Sequence, residues 1–433
     1  MPETPVRDFT VLRVLGRTRV IATRGLVGAP LTRRPAAPSA LLSVVRKVVS
    51  RNVGFVLVAY AFLATMIGTT LPTPLYPLFE QRYSFGELMV TVIFGVYAFG
   101  VIAGLLVFGN LSDEIGRKPV LLIGLAFSAA SAFLFVFAGS LVPIFAGRIA
   151  SGLSAGVFTG TATAMLVDLA PGGRRRLASF VAVIVNLGGL GLGTLLAGLL
   201  ADYCRSPLRL PFIVDLGLLA PALFGLLMTP ETVQRTAFRL RLQRLKVPTE
   251  VRGVFIRGAA AGFGSFAVAG VFSSVAPVFL GQILGRTSHA LAGAVVFILF
   301  TASIVGQLIV SRLSDQRALV SGCVLLVGGV GLLALALGIE SLAALIAAAS
   351  VVGLGQGLVI GAGLAAINQR APVEHRGETA SSFFVVMYVG LSLPVIGVGV
   401  AAHAFSFCMV GIGFSVVVAV LVLTVLASLS RQE

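Results

Sequence analysis

The sequence predicts an all-α integral membrane protein with twelve transmembrane helices in two pseudo-symmetric six-helix bundles. Three observations support this fold class: the hydropathy of the chain, a series of twelve apolar stretches, and short sequence motifs that recur in both halves. The 433 residues are 57% hydrophobic and 11% charged, and the mean hydropathy is +1.04. Because soluble domains carry about 25% charged residues, we expect lipid to be the solvent of this chain.

Twelve apolar stretches follow one another from Asn52 onward, and each is long enough for a membrane helix of about 20 residues. Their approximate spans are 53–75, 87–108, 119–138, 141–168, 177–200, 210–229, 256–280, 289–310, 318–338, 342–367, 379–402 and 405–428. We number these stretches 1 to 12 in chain order. Charge clusters or short turns separate them, and twelve such helices cannot all be buried in one soluble core.

Polar and basic segments delimit the predicted domains, which are 1–51, 52–229, 230–255, 256–428 and 429–433. The first is an Arg-rich tail that we interpret as cytoplasmic and disordered, with a targeting segment as the alternative. The second and fourth are the two bundles, and the last is a short cytoplasmic tail. The third is a cytoplasmic linker in which 238–246 alternates apolar and basic residues. This pattern fits either a basic helix at the membrane surface or a solvated linker.

The net charge of +16 is distributed as expected for a membrane protein. Basic residues concentrate in alternate loops, whereas the remaining loops hold only Arg82, Arg205, Arg209 and Arg286. Because cytoplasmic loops are enriched in Lys and Arg, both termini are predicted to lie in the cytoplasm. The abundance of Arg, Ala and Gly is typical of GC-rich bacteria, so we expect a bacterial inner membrane. No aromatic-basic motif indicates a nucleic-acid partner.

Short sequence motifs recur in the two halves of the chain, separated by almost the same number of residues. Leu-Ser-Asp at 111–113 recurs at 313–315. A row of three glycines also recurs, at Gly152, Gly156 and Gly160 and at Gly353, Gly357 and Gly361. Structural repeats of this kind build transporters in which two bundles rock around a central site.

The loop between stretches 2 and 3 reads GNLSDEIGRKP and resembles the signature G-x-L-x-D-(R/K)-x-G-R-(R/K) of the major facilitator superfamily of secondary transporters. The matching residues are Gly109, Leu111, Asp113, Gly116, Arg117 and Lys118. The resemblance implies a conformational latch between the bundles, in which Asp113 faces the N-terminus of helix 11, where free N–H groups favour an anion. The partial copy at Asp315 implies a weaker latch. Glu114 departs from the usual basic residue, and orientation charges in a turn remain the alternative.

Two further motifs resemble the drug/proton antiporter branch of this family. Stretch 4 carries Arg148 followed by Gly152, which implies an Arg facing a cavity, with an Arg snorkelling outward as the alternative. Stretch 5 has Thr194 where these exporters have Pro. It keeps three of the motif's glycines, Gly189, Gly193 and Gly198. Close helix contact alone would also explain these glycines.

The resemblance implies a central cavity lined mainly by helices 1, 4, 7 and 10. Besides Arg148, its predicted polar residues are Tyr60, Thr69, Asn186, Gln356 and Tyr388. A largely apolar lining suits hydrophobic or amphipathic solutes.

Proton coupling needs a group that changes charge, and stretch 1 contains no acid. The candidate proton carriers are Asp215 and Glu87, although Ser84 and Glu87 also fit a helix capping box. We expect Asp168 to pair with the basic residues at 174–176. His289 would take a capping or interface role.

These observations together predict a secondary active transporter that exports small hydrophobic or amphipathic compounds in exchange for protons by alternating access. Uptake or facilitated diffusion of a small metabolite is an alternative, because stretch 1 lacks an acid and stretch 5 lacks the Pro. A non-transporting membrane receptor is another. The expected partners are a small-molecule substrate, protons and the lipid bilayer. We expect a monomer without cofactor, metal or enzymatic activity.

Overall fold

The computed structural model describes residues 49–234, 243–283, 285 and 287–430, and twelve helices in this part are long and apolar enough to cross a membrane. We number them α1 to α12 in chain order. Their bounds are Arg51–Thr70, Glu87–Phe108, Arg117–Val136, Leu141–Asp168, Arg175–Tyr203, Leu210–Met228, Arg252–Val278, His289–Val310, Asp315–Gly338, Leu342–Arg370, Arg376–Ala401 and Phe407–Ser430.

Each predicted apolar stretch coincides with one of these helices, which confirms the predicted fold class. The predicted tail at 1–51 lies almost entirely outside the described residues, as do 235–242 of the linker and 431–433. The described linker residues 243–248 form no helix. The domain boundaries drawn from the sequence remain predictions.

The chain does not turn at once after α1, and here the sequence prediction was incomplete. A 3₁₀ turn at Thr73–Leu75 and a short helix at Tyr76–Tyr83 follow, each with Pro in its first turn, where the missing N–H has no helical partner in any case. The short helix ends at Ser84, whose φ is 52°, and Gly86 is the N-cap of α2. The predicted capping box is therefore wrong, because Glu87 is the first residue of α2 rather than its third.

The helices of the two bundles pack in the same pattern, as the recurring sequence motifs predict. Helix α1 packs against α5 and α6, α4 against α2 and α3, and α3 against α6, and the equivalent pairs recur among α7 to α12. The repeated glycines allow two of these crossings. A Cβ on Gly156 would meet the Val101 carbonyl oxygen, and one on Gly357 would overlap that of Ser303. Only glycine permits such close backbone approach.

The bundles meet along two helix pairs, α5 with α8 and α2 with α11. We call the end of the molecule that carries the 109–119 loop the motif face, and the other end the opposite face. Near the opposite face both pairs are in intimate contact: a Cβ on Gly198 would overlap the His289 carbonyl oxygen, and one on Gly399 would overlap Thr91. Further towards the motif face the α5–α8 pair loosens, since the atom nearest a Cβ on Gly188 would be 3.8 Å away.

Candidate functional site

A cavity of about 360 Å³ lies between the bundles, within the size range of pockets for small molecules. It is lined by α1, α2, α4 and α5 of one bundle and by the equivalent helices α7, α8, α10 and α11 of the other. Towards the motif face its lining includes Thr163, Ser179 and Leu364. The close α5–α8 and α2–α11 contacts described above seal the opposite face.

Most of the polar residues predicted for the cavity line it, namely Thr69, Arg148, Asn186, Gln356 and Tyr388. Tyr60 and Gly152, which were also predicted for the cavity site, lie elsewhere. The Tyr60 hydroxyl donates to the Leu218 carbonyl of α6 at 3.0 Å, so this phenol satisfies its hydrogen bond between α1 and α6. Gly152 packs against the backbone of α2 at Tyr97 and Gly100, so its role is close helix contact.

The sequence argument missed the four phenylalanines of the lining, Phe94, Phe266, Phe300 and Phe384, which line the cavity together with Tyr97 and the predicted Tyr388. Helical spacing would have found two of them. Phe94 precedes Tyr97 by three positions and Phe384 precedes Tyr388 by four, and residues so spaced share one helix face.

Arg148 is the one charged side chain among the described residues that line the cavity. It is 1% exposed, and its Nη1 donates to the Thr69 carbonyl oxygen at 2.9 Å. Its guanidinium carbon lies 4.4 Å from the centroid of the Tyr97 ring, within the range of a cation–π contact. Nε has no hydrogen-bond partner, and no ion pair joins Arg148 to a described carboxylate.

Asp215 is buried between α6 and α1, outside the cavity lining. It is 2% exposed, Oδ1 has no hydrogen-bond partner, and a Cβ added to Gly68 would lie 2.6 Å from Oδ2. Gly68 and Thr69 are consecutive in α1, so this short segment contacts Asp215 through one residue and Arg148 through the other. The second candidate proton carrier, Glu87, stands at the start of α2.

The charged loop at the motif face ties the ends of several helices of the first bundle together. Gly116 has a φ of 104°, which a residue with a side chain rarely adopts. Arg117 pairs with Asp113 at 3.2 Å and with Asp168 at 2.6 Å. The Glu231 carboxylate, which follows α6, accepts hydrogen bonds from the first two backbone N–H groups of α3 at 3.0 and 3.2 Å. The Lys118 ammonium donates to carbonyls at the end of α6.

Two sequence-based expectations for this loop differ from the structure. Asp168 pairs with Arg117 rather than with the basic residues at 174–176, because the end of α4 lies beside the start of α3. The Asp113 side chain is 66% exposed and pairs within its own loop rather than with α11. Its proposed latch function stays a prediction. Asp315, its partial copy, is the first residue of α9 and forms no ion pair among the described residues.

The linker bridges the two bundles at the motif face, a contact that the sequence argument did not predict. The Gln243 backbone N–H donates to the Leu106 carbonyl of α2 at 2.8 Å, and a Cβ on Gly109 would overlap the Gln243 side chain. The Lys246 carbonyl accepts from the Thr379 hydroxyl of α11 at 3.3 Å. Gly109, which has no side chain, therefore leaves space for the linker.

The glycines of α5 serve two interfaces. Gly189 and Gly193 lie against the backbone of α1, and Gly198 lies against α8. Thr194, which replaces the Pro of the family motif, donates its hydroxyl to the Gly191 carbonyl at 2.7 Å and reaches the Gly293 carbonyl of α8 at 3.2 Å. Helix α5 is thus continuous here and bonded to the second bundle.

A carboxylate at the opposite face joins the bundles, and we call Asp202, Ser288, His289 and Ala290 the opposite-face latch. Asp202, at the end of α5, accepts hydrogen bonds from the Ser288 hydroxyl at 2.7 Å and from the His289 and Ala290 backbone N–H groups at 3.0 and 2.9 Å. The His289 Nδ1 lies 2.8 Å from the same carboxylate. An anion at a helix N-terminus is stabilising. His289 therefore has the predicted interface role, whereas Asp202 was missed.

Comparison with known proteins supports a transporter. The sequence profile of the Major Facilitator Superfamily matches residues 56–395. The tetracycline resistance protein, class H, of Pasteurella multocida is 29% identical over 166 residues, which cover 37% of this chain and 40% of that protein. The chloramphenicol resistance protein of Pseudomonas aeruginosa is 29% identical over 318 residues, 69% of this chain and 68% of that protein.

Among solved structures, a POT family transporter in complex with 5-aminolevulinic acid has a TM-score of 0.72 and 13% identity, over 88% of this chain and 96% of that one. At this identity the likeness concerns the fold alone. The profile match covers well over half of the chain and agrees with twelve helices in two similar bundles. This chain is therefore a multi-pass membrane protein and belongs to the Major Facilitator Superfamily, a family of transporters rather than enzymes.

Proposed function

We propose that this protein exports small hydrophobic or amphipathic compounds across a bacterial inner membrane in exchange for protons, by alternating access. The observation that carries the proposal is the cavity between the bundles, which is mostly apolar, extends towards the motif face and is closed at the opposite face. A site accessible to one side at a time is what alternating access requires.

The distribution of basic residues supports a cytoplasmic motif face. Arg51, Arg117, Lys118, Arg174, Arg175, Arg176, Arg312, Arg317, Arg370 and Arg376 stand at or next to helix ends on this face. Since cytoplasmic loops carry the excess of Lys and Arg, the cavity faces the cytoplasm in the described conformation and both termini are cytoplasmic. An exporter loads its substrate from this side.

The relatives support efflux of antibiotic-sized compounds, because two are named for resistance to tetracycline and chloramphenicol. The first of these matches over less than half of its own length, so its substrate is not transferred to this chain. The apolar and aromatic lining agrees with the same class of solute.

Asp215 is our candidate for the proton-carrying group. A buried carboxyl that has an unpartnered oxygen and forms no ion pair among the described residues is costly to ionise. Its contact with Gly68, next to the Thr69 carbonyl that binds Arg148, gives a short connection between a change of charge and the cavity.

Transport direction and coupling are tested together in everted membrane vesicles energised by respiration. We expect vesicles containing the protein to accumulate at least one of three probes, chloramphenicol, tetracycline or 2-naphthoate. Nigericin, which collapses the pH gradient, should abolish this accumulation, and vesicles without the protein give the background. Accumulation that survives nigericin would contradict proton exchange, and faster probe entry into intact cells would contradict export.

A further inference from the structure

The charges around the cavity are unbalanced. Among the described residues, Arg148 is the single ionic side chain in the lining, and none of these lining residues is Asp or Glu. The other buried charged side chain of the described residues, Asp215, lies behind α1 and makes no ion pair with Arg148. The protein therefore presents a solute in this cavity with a positive charge that no lining residue neutralises.

The guanidinium also has unused hydrogen-bonding capacity. Nη1 is bound to the Thr69 carbonyl, while Nε has no partner although the side chain is 1% exposed. A buried polar group without a partner is costly, and guanidinium N–H groups match a carboxylate in geometry and charge. A bound carboxylate would supply both the missing acceptor and the missing countercharge.

The second bundle contributes another unpartnered polar group to the same cavity. Gln356 on α10 is 3% exposed, and its Oε1 has no hydrogen-bond partner. Phe94, Phe266 and Phe384 supply flat apolar surfaces in the same lining. The lining thus offers a cationic donor on one bundle, an amide on the other and aromatic rings from both bundles.

From this arrangement we infer that the cavity selects compact amphipathic anions, with the anionic group on Arg148 and an aromatic or other apolar body among the phenylalanines. Amphipathic cations are disfavoured, because they would meet Arg148 with no acid to offset it. This inference rests on the proposed function only in taking the cavity as the substrate site, and it is independent of the direction of transport and of proton coupling.

The test compares three probes that share a naphthalene ring and differ in charge: 2-naphthoate, 2-naphthamide and 2-naphthylmethylammonium. Binding is measured by thermal stabilisation of the purified full-length protein. We expect 2-naphthoate to bind about tenfold more tightly than the neutral amide, because a charge-assisted hydrogen bond replaces a neutral one. The ammonium should not stabilise the protein. Equal binding of all three probes, or preference for the ammonium, would overturn the inference.

Variants of Arg148 identify the residue that selects for charge. Arg148→Gln should reduce 2-naphthoate binding to the level of 2-naphthamide, and Arg148→Lys should keep a preference for the anion. The matched control is Arg312→Gln, at an exposed arginine of the turn after α8, which should retain the wild-type order. An anion preference that survives in Arg148→Gln would refute the role of this residue. If that variant does not fold, the order of the probes on the wild-type protein still decides the inference.

The outcomes separate this inference from the proposed function. Anion binding combined with faster entry of 2-naphthoate into intact cells would refute export and support the selectivity. Binding and export of the ammonium would refute the selectivity and support export.

Discussion

Asp215 and Arg148 are the two buried charged side chains of the described residues, and they contact consecutive positions of α1. The fold places a carboxyl against Gly68 and a guanidinium on the Thr69 carbonyl. A change in the charge of Asp215 would act directly on the α1 segment that positions Arg148. This would give a residue-level explanation for the proposed proton coupling in a chain whose first helix contains no acid.

At this scale we expect Asp215→Asn to abolish the dependence of transport on the pH gradient while leaving 2-naphthoate binding unchanged. The amide keeps the shape of the carboxyl group beside Gly68 but has no titratable proton. The measurement is probe flux in proteoliposomes with and without an imposed pH gradient. Glu340→Gln, at an exposed turn, is the control and should behave as wild type. Flux in Asp215→Asn that still follows the gradient would exclude Asp215 as the proton carrier.

Residue types and helical spacing account for much of the candidate site but not for all of it. Arg148, Asn186, Gln356 and Tyr388 are found from the sequence because polar side chains are scarce in apolar helices and face a cavity or a partner. Tyr60 satisfies the same rule through a carbonyl of α6 instead. Composition alone does not show whether a polar side chain lines the cavity or bonds to a neighbouring helix, because this depends on which helix packs beside it.

At the scale of single elements, glycines determine how closely α5 approaches its neighbours. A Cβ on Gly193 would overlap the Ile67 carbonyl oxygen of α1, whereas the atom nearest a Cβ on Gly188 would be 3.8 Å away. The two glycines lie in the same helix, so a Gly→Ala substitution changes helix propensity alike at both positions.

We therefore expect Gly193→Ala to destabilise the protein by about 1–3 kcal/mol, the typical cost of inserting a methyl group into a close-packed interface. Gly188→Ala should be neutral or slightly stabilising. Thermal unfolding of both variants in the same detergent measures the difference. Equal midpoints for the two variants would show that α1 and α5 are not in this close contact.

The opposite-face latch is the second element-scale device, because one carboxylate caps α8 and joins it to α5. Asp202→Asn should open this face more often, since the amide loses the charge and one of the two acceptors. The opening can be measured with Thr91→Cys, introduced into a variant without the native cysteines. Thr91 packs against Gly399, so a membrane-impermeant maleimide can label Cys at this position only when the opposite face is open. We expect labelling to be about tenfold faster in Asp202→Asn, in proportion to the lost hydrogen bonds. Glu340→Gln on the same face is the matched control, and an unchanged rate in Asp202→Asn would contradict the latch.

At the scale of the whole molecule, the two bundles share one packing pattern but differ at the motif face. In the first bundle Asp113, Arg117, Asp168 and Glu231 connect the ends of α3, α4 and α6. In the second bundle Asp315 stands without an equivalent ion pair among the described residues. We interpret the first bundle as the more rigid body in the rocking motion that alternating access requires.

The overall fold can be predicted from the sequence because hydropathy and repeated short motifs are local signals. In lipid, an apolar segment must satisfy its own backbone hydrogen bonds and therefore forms a helix. Long-range contacts that depend on loop geometry do not follow. Gln243 lies beside Gly109 across more than a hundred residues of chain, and Asp202 reaches α8 from the end of α5. No periodicity relates either pair, so neither contact is visible before the helices are assembled.

The most direct measurement of the central claim follows solute and proton together in proteoliposomes that contain the purified protein and a pH-sensitive dye in the lumen. The solute is chloramphenicol, tetracycline or 2-naphthoate, whichever accumulates in everted vesicles. With no pH gradient imposed, a gradient of this solute should drive protons in the opposite direction, and Asp215→Asn should move none. Protein-dependent solute flux without proton movement in the wild type would contradict proton-coupled export.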